Sequence, residues 1–138
     1  MIEMTLAPLL MVSATGLLIL GLGNRMGRVI DRLREFSKEV RSGINEERRK
    51  IIMAQKNVLT IRAKLCRDAM VQFHLTILFS SLTSLFIFSS TIWSITIYLG
   101  ILFFILSIIS LIIGSVIAVY EISLSYSAIL RESEYYLK

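Results

Sequence analysis

The chain has one cysteine, one proline and one histidine in 138 residues, and no formal charge between Asp68 and Glu121. A lone cysteine closes no intrachain disulfide, and with one imidazole it leaves no cluster of soft metal ligands. Cys66 has basic flanks, but a small residue at a helix interface is its expected role. Pro8 lies in the first turns, where a missing N–H costs least, and no later proline interrupts a helix. The sequence has no GxSxG elbow, no GxxxxGK[ST] loop and no HExxH pair. It therefore offers no catalytic residue, no metal site and no cofactor motif, and an enzyme is not expected.

What is present is apolar and arranged in blocks. The hydrophobic fraction is 55% and the mean hydropathy is +0.73. Three blocks are long enough to cross about 30 Å of hydrocarbon as helices. They cover about residues 2–23, 69–92 and 95–120. The first has Glu3 before it and Asn24, Arg25 and Arg28 after it, the reverse of a signal peptide's charge order, so it reads as a retained anchor. The second and third are separated by a very short turn and form an antiparallel hairpin. Trp93 and Tyr98 flank that turn, and such rings favour the headgroup level.

The segment 25–68 holds 13 of the 15 lysines and arginines, and the hairpin turn holds none. The positive-inside rule then predicts a multi-pass cell-membrane protein with its N-terminus outside and its 121–138 tail in the cytoplasm. Within 25–68, Met26, Val29, Leu33, Phe36 and Val40 recur at helical spacing, and Ser42-Gly43 interrupts the pattern. Asn45 is a plausible N-cap before Glu46 and Glu47, and Ile52, Leu59 and Cys66 mark the next apolar face. The expectation is an all-α chain of one membrane domain, with a helical cytoplasmic hairpin between the first two spans. That hairpin stands as a stalk or lies in the interface, and either arrangement lets its basic face attract anionic lipids. Acids alternate with the bases and aromatics do not interleave with them, so no nucleic acid is expected.

Inside the spans, small residues recur: Ala7, Ala14 and Gly21 on one line, Gly16 and Gly23 on another. Ser107, Ser110, Gly114, Ala118 and Glu121 share a face of the third span. More small faces exist than one chain's helices can use, which predicts a homo-oligomer. The second span carries Thr76, Ser80, Thr83 and Ser84 near one stripe. Two readings stay open for it. Either the hydroxyls bond within or between helices, or they line a hydrated path. His74 is a structural hydrogen bonder or a pH-sensitive gate. Glu121 is an interfacial carboxylate for Arg25, Arg67 or Arg131. The corresponding functions are an ion channel or transport-related module, and a non-conducting scaffold or regulator that binds anionic lipids or another membrane protein.

The stretch Asn24-Arg25-Met26-Gly27-Arg28-Val29-Ile30-Asp31-Arg32-Leu33-Arg34 resembles a family of small bacterial and cyanobacterial membrane proteins. Thr5-Leu6-Ala7-Pro8, Phe73-His74-Leu75 and Leu78-Phe79-Ser80-Ser81-Leu82-Thr83 share that resemblance. The family is a domain of unknown function. The resemblance covers most of the chain and implies an intact three-span protein, with no activity to carry over. In topology alone the chain is also similar to the proton-channel subunits of bacterial motors, although its cytoplasmic part is much shorter.

Overall fold

The computed structural model describes the backbone of residues 2–43 and 45–136 and the side chains of residues 6–43 and 45–126. Three helices make up the fold: α1 (Ile2–Arg41), α2 (Glu46–Ser89) and α3 (Thr96–Tyr136). Each contains a segment long and apolar enough to cross a membrane. The chain is thus an all-α, multi-pass membrane protein.

The expected hairpin between the first two spans is not a distinct unit. With no proline after Pro8, α1 and α2 run unbroken from their apolar segments to a short turn. Gly43 makes that turn with φ 81°, a left-handed conformation that side chains with a Cβ rarely adopt. Asn45 is extended ahead of α2 but makes no side-chain cap bond. Across the turn, Arg48 Nε donates to Glu39 Oε1 at 3.0 Å and ties the two helix ends together. At the opposite end the Ser90, Thr91 and Thr96 hydroxyls donate to the carbonyls of Ile87, Phe88 and Trp93, which closes the α2–α3 turn without charge.

Burial follows a seven-residue period. On α1 the buried line is Pro8, Thr15, Leu22, Val29 and Phe36. On α3 it is Gly100, Ser107, Gly114 and Glu121. On α2, Cys66, Phe73 and Ser80 form one line, with Ala69, Thr76 and Thr83 beside it. Seven residues fall slightly short of two ideal turns of about 7.2 residues, so lines of this period keep facing a partner only if the helices supercoil left-handedly. Helix α2 is the middle element and packs along both neighbours, whereas α1 and α3 scarcely touch.

Lipid tails are as apolar as leucine, so burial of aliphatic surface does not by itself hold such helices together. Close approach and polar contacts do. Gly100 and Gly114 let α3 approach α2, and a Cβ at Gly114 would stand 2.9 Å from Phe73 Cε1. Leu22, Cys66, Ala69 and Phe73 form the apolar core between the three helices. Toward the turn, Phe86 and Phe103 stack at 5.3 Å between ring centres.

Candidate functional site

The polar groups of the apolar segments fall into three sets. The first is a ladder of hydroxyls between α2 and α3. Ser110 Oγ donates within reach of the Gln72 carbonyl and Gln72 Oε1, both at 2.9 Å. Ser107 Oγ lies 3.1 Å from the Thr76 carbonyl and 2.7 Å from Ser80 Oγ. Thr76 and Thr83 donate to carbonyls one turn earlier, Gln72 and Phe79. Of the four stripe residues, Thr76, Ser80 and Thr83 are fully buried within one chain. Ser84 is half-buried and donates to the Ser80 carbonyl at 3.2 Å.

The second set joins all three helices. Glu121 on α3 is fully buried. Its Oε2 is 2.6 Å from Arg25 Nη2 of α1, an ion pair whose angle is not that of a hydrogen bond. Its Oε1 accepts from Arg62 Nε of α2 at 3.1 Å and from Ser125 Oγ at 3.0 Å. A buried carboxylate is tolerable only when paired in this way. Of the partners expected from the sequence, Arg25 pairs with Glu121 and Arg67 does not: Arg67 donates to Asp68 Oδ1 at 2.7 and 2.9 Å instead. The reason is helical phase. Arg62 shares the inward face of α2 with Cys66, Ala69 and Phe73, while Arg67 points outward. Arg131 lies outside the described side chains.

The third set is exposed. His74 lies on the outer face of α2, where Nδ1 donates to the Met70 carbonyl at 2.7 Å in the tautomer that this contact requires. The bonds from Ser110 to Gln72 and from Ser107 to Thr76 bracket it. His74 is therefore level with the middle of the apolar stretch of α3, deeper than its position one or two turns into the second span suggests.

Similarity to known proteins decides the family. Residues 5–131 match the family described as "Protein of unknown function (DUF2721)". The chain belongs to the DUF2721 family. No curated protein and no solved structure matches it. The DUF2721 match runs from the start of α1 into the last turns of α3, so the hydroxyl ladder and the Glu121 junction both fall inside it.

Sequence reasoning missed Arg62 and Gln72. Arg62 was legible in principle, being four, seven and eleven residues before Cys66, Ala69 and Phe73, which is the spacing of one helical face. Cys66 itself is buried beneath the apolar 69–92 segment. A group in that state is a packing element rather than a nucleophile.

Proposed function

We propose that this DUF2721 protein is a homo-oligomeric, non-conducting membrane scaffold whose basic end lies in the cytoplasm, where it meets anionic lipid headgroups or another membrane protein. The observation that carries this reading is the hydroxyl ladder. A conducting path needs polar groups free to replace ion hydration. Thr76, Ser80 and Thr83 instead spend their hydrogen bonds inside one chain, against Ser107 and their own backbone.

The orientation rests on the 13 basic residues between Arg25 and Asp68. In this reading residues 2–23 and 95–120 span, and the second span begins ahead of residue 69, because Arg62 meets Glu121 at the end of the third; the ends of α1 and α2 beyond that level extend into the cytoplasm, and the tail 121–138 returns there. Glu121 then sits at the cytoplasmic boundary, where it locks the three helices.

A second reading, an ion channel or transport-related module, has its own support. Arg67 and His74 are exposed on α2, and polar groups at such depth often mark a path. Ion flux through purified protein in liposomes, between about pH 5.5 and about pH 8 to cover the histidine range, separates the two readings. The scaffold predicts flux no greater than that of empty liposomes when insertion and assembly are verified. Flux above that level would replace it with the channel, and loss of its pH dependence in His74→Ala would assign the gate.

A further inference from the structure

Thr60, Arg67, His74 and Ser81 recur every seventh residue along α2, and all four are exposed. Because the buried line Cys66, Phe73 and Ser80 has the same period and stays turned inward, these four stay on one outward line. Their depth follows from α3. Tyr98 and Tyr120 are both exposed and stand about 33 Å apart along the helix. That matches a hydrocarbon core of roughly 30 Å bounded by interfacial aromatics. His74, level with Ser107 to Ser110, is midway between them.

Arg67 and Asp68 stand about 8 Å along α2 from Arg62, toward the membrane centre. Around this depth the outer faces of α1 and α3 show aliphatic groups such as Leu17, Leu20, Ile113 and Val116, with Asn24 of α1 as an exposed but uncharged polar group. One helix of three thus turns charge and imidazole outward within the bilayer. A charged side chain deep in a bilayer costs roughly 2.5–3.5 kcal/mol on insertion scales. Arg67 has a stem long enough to snorkel toward the headgroups, but a midplane imidazole does not.

We infer that this outward face of α2 is covered by the same face of a second copy of the chain, with the two α2 helices parallel. Charge complementarity singles out that occupant. Arg67 and Asp68 are neighbours held at 2.7 Å. In a parallel pairing with the seam along Val71 and Leu78, Arg67 of each copy comes opposite Asp68 of the other, and Lys64 on the same line, nearer the boundary, snorkels toward the headgroups. Val71 and Leu78, both about half exposed, supply the apolar contact between the polar turns. The inference rests on the oligomeric part of the scaffold reading and assigns its contact.

Disulfide cross-linking in membranes tests it. His74→Cys and Val71→Cys are made in the otherwise native chain, where buried Cys66 is the internal control. Leu17→Cys on α1 and Val116→Cys on α3 report the other faces. Oxidation is expected to shift the 15.7 kDa band to twice its mass for positions 71 and 74 only. Cross-links at 17 or 116 without any at 71 and 74, or equal cross-linking at all four, would overturn the face and leave an oligomer standing. Monomer at every position, with monomeric mass in lipid, would overturn both the face and the oligomer.

Discussion

Gly114 of α3 lies against the ring of Phe73 so closely that its missing Cβ would stand 2.9 Å from Cε1 and 3.0 Å from Cδ1. Phe73 is itself fully buried, so its ring has little room to yield. Gly114→Ala is expected to destabilise the helix assembly by about 1–3 kcal/mol, the usual range for overpacking. Gly16→Ala is the control, since nothing lies within 4 Å of its Cβ position. It removes a glycine from a helix and should leave the fold unchanged or raise its stability by roughly 0.5–1 kcal/mol. Reversible unfolding in mild detergent measures both.

Glu121 carries a larger effect. Glu121→Ala leaves Arg25 and Arg62 facing each other without their shared anion. Breaking a buried pair by removing one partner costs about 3–5 kcal/mol. The Arg25 and Arg62 side chains are 26% and 21% exposed, so the low end of that range is expected. Glu121→Gln should cost less, because an amide oxygen still accepts from Arg62. The same unfolding measurement, with circular dichroism to follow helix content, gives the ranking. An Ala variant as stable as the native chain would remove the junction from the account.

The hydroxyl ladder is weaker per contact. Interhelical hydrogen bonds in membranes average about 0.6 kcal/mol, so Ser80→Ala should be nearly silent in stability. Ser80→Leu is a different change, because it forces a large side chain against Ser107, and a loss of about 1–3 kcal/mol is expected. Unfolding curves for the two variants should therefore separate clearly. For the same reason Ser80→Ala, not Ser80→Leu, is the variant to use in any flux assay.

Cys66 gives a labelling prediction, because its side chain is fully buried in the core between the helices. Maleimide labelling of the native protein should be slow at neutral pH and become fast on unfolding. Rapid labelling in the folded state would contradict the buried position.

Much of this architecture was legible in the residues. The three charge-free blocks, the Ser42-Gly43 interruption and the shared face of Ser107, Ser110, Gly114 and Glu121 follow from composition and period alone. Arg25 as a partner of Glu121 was also legible, because both end an apolar block at the same boundary. What could not be read was phase and register between helices. Arg62 and Arg67 look alike in the sequence and differ by about 140° around α2, which sends one to Glu121 and the other to Asp68. The Thr76, Ser80 and Thr83 stripe was visible as a stripe. Its partner was not, since period describes a face and says nothing of what covers it. His74 illustrates the same gap: its depth depends on the offset between α2 and α3, which only the contacts from Ser107 and Ser110 reveal.

The central claim is that the inner hydroxyl face of α2 is a closed seam with α3 rather than the wall of an aqueous path. Water accessibility at Ser80 tests it most directly, using Ser80→Cys, a near-isosteric change, in the protein inserted in lipid. The account predicts no reaction with a membrane-impermeant, water-soluble maleimide applied from either side, and full reaction after unfolding. Prompt labelling of the native protein from either side would contradict it, because water would then reach a residue that is 0% exposed here and bonded to Ser107.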